Sequence, residues 1–228
     1  MSLKITRATL LDGSIRALQE EHAAMMPEPT QRSAAQMEVL LEEILQSHDM
    51  TRDLWVFGYG SLIWNPAFDH EEARPALLRG WHRRFCLKLL LGRGTPECPG
   101  LMLALDRGGA CKGVALRIQA DKIREELHIL WLREMYGGAY DARWVSVQAG
   151  GEQFRAITFV INRAHPRYLG ALSPQCAAAM IASGCGVLGT CREYLENTVT
   201  HLAALGLEDA GLARIMAALP PPPALPNR

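Results

Sequence analysis

A chain of 228 residues, 49% of them hydrophobic, is long enough to bury a substantial core, as one large domain or one domain with appendages. Its 24 lysines and arginines balance 24 aspartates and glutamates, which argues against a protein that lives by wrapping nucleic acid or coating an anionic membrane. No apolar run approaches the ~20 residues needed to span a bilayer, and the start, MSLKITRATLLDGSIRALQEEH, lacks the apolar core and cleavage site of a secretory signal; a cytoplasmic location is expected.

Residues 1–52 read as a helical N-terminal extension. A weaker helix is expected over 13–25, ending near the Pro27-Glu28-Pro29 break. A stronger one follows over 33–45, with Ser33 and Gln36 at capping-box spacing and Met37, Leu40, Leu41, Ile44 and Leu45 in one stripe. The extension either covers a face of the body that follows or mediates self-association. From Leu54 to Asn162 the pattern changes to short apolar or alternating runs at 54–57, 85–91, 100–105, 112–118, 143–148 and 154–161, punctuated by Gly, Pro and Asp. One helix interrupts them, over 121–135. Many strands around one helix predict an α+β fold with a mostly antiparallel sheet, closed into a small barrel. Residues 173–219 are rich in Ala and Leu and read as helical. The Pro-rich tail, 220–228, reads as a disordered terminus or as a ligand for a proline-recognition domain.

None of the six cysteines (Cys86, Cys98, Cys111, Cys176, Cys185 and Cys191) forms a C-x-x-C pair, and no Cys/His grouping has the spacing of a zinc site. Reduced thiols and no metal are expected.

Two stretches carry chemistry. In VFGYGSLIW (56–64), glycines flank Tyr59 at a strand end. A dinucleotide loop needs G-x-G-x-x-G opening a helix, but Ile63 stands at the third glycine position, and a nucleophile elbow needs a G-x-S-x-G frame that Ser61 lacks. Two readings remain: a tight turn with Tyr59 and Trp64 packed in the core, or a concavity of backbone N–H groups that holds a carboxylate or phosphate. The second stretch is the helix over 121–135. Ile123, Leu127, Leu130 and Glu134 follow one another on one face, so a carboxylate ends an apolar stripe. Burial raises a carboxyl pKa toward neutrality, where the group can take and return a proton; equally, Glu134 pairs with an arginine such as Arg133 or Arg143. The helix is expected to stop at Gly137-Gly138.

VFGYGSLIW (56–64), RGTPECPGLMLAL (93–105), GVALRI (113–118), REMYGGAY (133–140) and REYLENT (192–198), in this order, resemble the successive motifs of the ChaC family, the glutathione-specific γ-glutamylcyclotransferases. The resemblance runs over roughly 53–205 and implies a γ-glutamylcyclotransferase-like barrel domain over 53–219. It implies an enzyme that converts glutathione to 5-oxoproline and cysteinylglycine without a cofactor. Carried onto this sequence, Val56, Phe57, Gly58, Tyr59, Gly60, Ser61 and Leu62 form the loop that holds the γ-glutamyl group, Tyr194 lies in the same pocket, and Glu134 is the proton acceptor.

The chemistry agrees with the residues. A γ-glutamyl carboxylate suits an N–H concavity, and attack of its own amine on the γ-carbonyl closes a five-membered ring, so proximity is built into the substrate. Arg84, Arg93 and Arg117 are each either a partner for the glycine carboxylate or a solvated barrel residue. Tyr140 is a further pocket residue, Tyr168 reads as packing, and Asp106 reads as turn chemistry in LDRGG. The alternatives are a cyclotransferase for γ-glutamyl amino acids or γ-glutamylamines, and a non-catalytic γ-glutamyl-peptide binding module.

Overall fold

The computed structural model describes residues 3–25 and 30–221. The expected Pro27-Glu28-Pro29 break, and all but the first two residues of the Pro-rich tail, lie outside the described residues.

Among the described residues, three helices precede the first strand: α1 (Arg7–Leu11), α2 (Ser14–Met25) and α3 (Ala34–Leu45). The single turn of α1 has no sequence stripe to announce it. It forms because Thr6 and Thr9 cap it reciprocally. In α3, Gln36 N donates to Ser33 Oγ at 3.2 Å and Ser33 N donates to Gln36 Oε1 at 2.8 Å, the capping box that the spacing predicts. Its Met37, Leu41 and Leu45 are buried against the body of the molecule.

Five strands follow: β1 (Leu54–Gly58), β2 (Glu72–Leu89), β3 (Gly100–Ile118), β4 (Tyr140–Ala149) and β5 (Glu152–Ile161). They close into a barrel in the order β1-β3-β2-β4-β5. Neighbours pair antiparallel except where β1 meets β5, with Val56 opposite Ile157, and where Leu105 of β3 meets Val160 of β5. The helix α4 (Ile123–Glu134) is inserted between β3 and β4. Because successive side chains of a strand point to opposite faces, β1 sends Val56 into a core shared with α3 and α4, and Phe57 into a second core. That second core is completed by the C-terminal helices α5 (Pro174–Ser183), α6 (Cys191–Ala204) and α7 (Ala210–Ala218); the short ribbon β6 (Cys185–Gly186) and β7 (Gly189–Thr190) lies between α5 and α6.

The structure corrects the sequence reading between 72 and 118. The runs at 100–105 and 112–118 are one strand, and β2 starts at Glu72, well ahead of the run at 85–91. The two strands form a long ribbon whose bend is absorbed by glycines with positive φ: Gly80 on β2, and Gly108 and Gly109 on β3. Pairing resumes on either side, Arg79 opposite Ala110 and Trp81 opposite Arg107. Glycines that read as the end of a strand therefore bend one.

Asp106, in the same stretch, is not turn chemistry. It sits inside β3 with no exposed surface, accepting from Arg84 Nη1 at 2.9 Å, Arg163 Nε at 2.6 Å, Tyr168 OH at 2.8 Å and Arg107 N at 2.9 Å. Tyr168 is thus a hydrogen-bond partner as well as packing. Burial alone pushes the Asp106 carboxyl up, but the hydrogen bonds from Tyr168, Arg163 and the Arg107 amide outweigh it and hold the group below its ordinary value. The stability this contributes is present above the ordinary aspartate pKa and is lost as pH falls from there through the depressed folded value. Asp106→Asn is expected to cost about 2 kcal/mol at neutral pH, a buried-pair loss discounted because Arg84 and Arg163 are partly open to water. In urea unfolding the difference from the parent should shrink on acidification; a difference independent of pH would contradict the depressed carboxyl.

Candidate active site

After β1 the chain turns through Tyr59 and Gly60 into a single 3₁₀ turn, Ser61–Ile63, closed by Ile63 N donating to Gly60 O at 2.9 Å. Two arginines hold this loop from opposite sides. From behind, the buried guanidinium of Arg83 donates from Nε to Tyr59 O at 2.5 Å and from Nη2 to Lys112 O at 2.6 Å, and pairs through Nη1 with Asp209 Oδ2 at 2.5 Å. From the front, Arg133 at the end of α4 donates from Nη2 to Ser61 Oγ at 2.6 Å and from Nη1 to Asn65 O, while its Nε lies 2.9 Å from Glu134 Oε1. The amides of Gly60 and Leu62 donate to no backbone carbonyl outside regular elements among the described residues, and Ser61 hydrogen-bonds the Tyr194 phenol through both its amide and its hydroxyl. The second glycine has a steric reason: a Cβ at Gly60 would lie 2.7 Å from Tyr194 OH, so only glycine admits the α6 tyrosine this close to the loop.

Loop, helix end and α6 meet at one cavity of about 600 Å³. Tyr59, Gly60, Ser61, Leu62, Glu134 and Tyr194 all line it, and so does Tyr140, whose hydroxyl donates to Leu103 O at 2.9 Å. Val56 and Phe57 have no exposed surface and, with Gly58, are not part of its wall; they lie in the strand that delivers the loop.

Glu134 is less buried than its place on an apolar stripe suggests. Ile123, Leu127 and Leu130 are fully buried, but the Glu134 side chain keeps 16% of its surface, at the cavity. Both sequence readings of the residue apply at once: it pairs with Arg133 and its carboxyl is nevertheless raised, because loss of hydration outweighs the charge and hydrogen bond of Arg133. The enclosed glutamate of α4 is Glu126, 1% exposed and paired with Arg7 Nη1 at 2.5 Å. Its position three residues after Ile123 and four before Leu130 puts it on the same stripe, a signal available in the sequence and overlooked there.

The aromatic walls are neutral at physiological pH. Burial, and secondarily the negative charge of Glu134, pushes the Tyr194 phenol up to about 12. Burial likewise raises Tyr59 and Tyr140 well above the ordinary tyrosine value. All three are hydrogen-bond donors rather than charges. Of the three arginines read as carboxylate partners, Arg93 alone reaches the cavity, donating to Thr190 O at 2.7 Å and pairing with Glu193 at 3.2 Å. Arg84 is committed to Asp106, and Arg117 to Asp53 and Glu72. Arg83 and Asp209 were not legible as loop supports, since nothing local connects residues so far apart in the chain.

The model of the ChaC-like protein family matches residues 54–219. A glutathione-specific γ-glutamylcyclotransferase of Escherichia coli is 41% identical over 181 residues, covering 79% of this chain and 78% of that protein. The human glutathione-specific γ-glutamylcyclotransferase 1 is 32% identical over 173 residues, 73% of this chain and 78% of the human one. A crystal structure of a yeast γ-glutamylcyclotransferase specific to glutathione superimposes with a TM-score of 0.66 over 74% of this chain and 97% of the yeast chain; at 20% identity it speaks for the fold.

A raised carboxyl keeps its proton longer in the folded chain than in the unfolded one, so the stability it contributes is complete below the ordinary glutamate value and is lost as pH rises through the raised one. Glu134→Gln, a neutral stand-in for the protonated acid, should therefore gain in Tm relative to the parent as pH rises above the ordinary glutamate value. A relative Tm that is flat, or that falls with pH, would rule out a raised carboxyl.

Proposed function

The chain belongs to the ChaC family, and from that membership we propose that it cleaves glutathione to 5-oxoproline and cysteinylglycine, with Glu134 moving the proton. The observation that carries the reading is the meeting of a raised carboxyl and an amide-lined loop at one cavity.

The γ-glutamyl α-carboxylate sits against the amides of Gly60 and Leu62, where N–H dipoles oppose its charge. Its α-ammonium faces Glu134 and gives up a proton to the carboxylate; a base raised toward neutrality does this with less mismatch than an ordinary glutamate. The freed nitrogen lone pair attacks the γ-carbonyl carbon of the same residue, forming the ring C–N bond. The neutral phenols of Tyr59 and Tyr194 are donors for the oxygen that becomes negative in this step. The attacking nitrogen gives up its second proton as the bond to the cysteinyl nitrogen breaks, and Glu134 relays both protons, one after the other, to the departing amine, leaving the lactam N–H and the product ammonium. Water enters no step, and the ring closure needs only that the reactive rotamer be held.

The setting we infer is the cytoplasm, supported by six unbridged cysteines. No helix among the described residues is long and apolar enough to cross a membrane.

Reduced glutathione incubated with the purified protein should yield 5-oxoproline and cysteinylglycine by mass spectrometry. Glu134→Gln should lower kcat by about 10²–10⁴-fold with KM changed far less. Free glutamate in place of 5-oxoproline would mean that water attacks, and intramolecular cyclisation would be excluded.

A further inference from the structure

Glutathione carries two carboxylates, and the loop accounts for only the one on its γ-glutamyl end. The other, on glycine, lies two residues beyond the scissile bond, ~7 Å away when the peptide is extended. A carboxylate drawn into a partly closed cavity loses hydration and needs a charged partner there. One wall of the cavity comes from the N-terminal extension, through Leu3–Thr6 and through Ile15 and Leu18 of α2; another is built on α6, through Glu193, Tyr194 and Asn197.

Among the described residues four cations line this cavity: Lys4, Arg93, Arg133 and Arg167. Arg133 is committed to the loop and to Glu134. Arg167 lies at the end of the pocket that holds the base, its Nη2 being 3.5 Å from where a Cβ on Gly137 would stand. Lys4 is exposed, a point charge on a flexible stem.

Arg93 is placed differently. Its backbone is fixed: Arg93 N donates to Leu91 O at 3.0 Å, Arg93 O accepts from Cys191 Sγ at 3.0 Å, and the preceding carbonyl, Gly92 O, accepts from Leu188 N at 2.8 Å. Its side chain keeps 14% of its surface and lies over the ring of Tyr194, 5.8 Å from the centroid. The hydroxyl of that ring hydrogen-bonds Ser61. Tyr194 therefore spans from the catalytic loop to the Arg93 guanidinium, a distance that a ligand anchored at the loop covers with two residues. Nη1 of Arg93 donates to Thr190 O at 2.7 Å and to Glu193 Oε2 at 3.2 Å, while Nε and Nη2 donate to no acceptor among the described residues. Glu193 has 57% of its side chain exposed, so its pairing neutralises Arg93 only weakly.

Resting on the cyclotransferase reading above, we propose that Arg93 is a specificity-determining residue whose guanidinium pairs with the glycine carboxylate of glutathione, using the donors that Thr190 and Glu193 leave over. Adjacent N–H groups in a planar fork match the two oxygens of a carboxylate. The α6 side of the cavity then supplies the subsite that tells the tripeptide from γ-glutamyl compounds with no charge at that distance.

The test compares glutathione with its glycyl monoethyl ester, which differs only in lacking that negative charge, in the full-length parent, in Arg93→Leu and in Arg93→Lys. The comparison within the parent needs no variant, and thermal unfolding identifies the variants that fold. The parent is expected to show a KM for the ester about tenfold above that for glutathione, the equivalent of ~1.4 kcal/mol. Arg93→Leu should raise the KM for glutathione about tenfold and leave that for the ester within about twofold, so that the preference disappears. Arg93→Lys, which keeps the charge without the paired donors, should fall between the two. A parent indifferent to the ester, a tenfold preference that survives Arg93→Leu, or an equal loss for both ligands overturns the assignment while leaving the cyclotransferase reading intact. A parent that cleaves neither ligand overturns both.

Discussion

The guanidinium of Arg133 joins the two halves of the site. Its side chain is 5% exposed, and a desolvated cation persists only when its donors are matched. The matches are Ser61 Oγ and the carbonyls of Asn65 and Pro66 on the loop side, and the Glu134 carboxylate on the helix side. A planar group with donors along fixed directions sets the loop and the base in register with each other, which a lysine's single point charge would not do. The same contact moderates the chemistry. Burial alone can raise a carboxyl by several pKa units, and an adjacent arginine opposes it by one to three. The balance leaves Glu134 raised.

Around that junction the fold uses further arginine–carboxylate contacts in the same way, each between different elements. Arg83 ties the back of the loop to Asp209, which also caps α7 by accepting from Leu212 N at 3.0 Å. The last helix therefore bears on the position of the Tyr59 carbonyl. Asp106 binds β3 to Arg84 on β2 and to Arg163 and Tyr168 beyond β5. These pairs lie in the ribbon where glycine bends interrupt regular packing, and partners for buried charges restrict the bend to one geometry.

The extension shows how a wall can be added to such a body. Its own helices are short and could not hold themselves in water. They are ordered by the apolar face of α3 against α4 and by the ion pair of Arg7 with a glutamate that has almost no exposed surface. What covers the barrel also shapes the cavity, because α4 is both the surface on which the extension docks and the element whose last residue is Glu134.

Alone, the sequence determined the features set by neighbours a few residues apart. The capping box at Ser33, the stripe of α3, the stripe of α4 down to Glu134 and the alternation of β4 and β5 all lie within a turn or a few strand residues. The ordered motifs also named the residues that meet at the cavity, from Tyr59 to Leu62 together with Glu134 and Tyr194. Tertiary structure decided what depends on remote partners. The glycines at 108 and 109 bend a strand, rather than end it, because β2 pairs on both sides of them. Val56 and Phe57 deliver the loop without lining the cavity, because strand alternation buries both of their faces in a closed barrel. Arg83 finds Asp209 126 residues away, and Arg7 finds Glu126 119 residues away. Such pairings are set by the closed barrel and the helices packed on it, and they have no counterpart in local spacing.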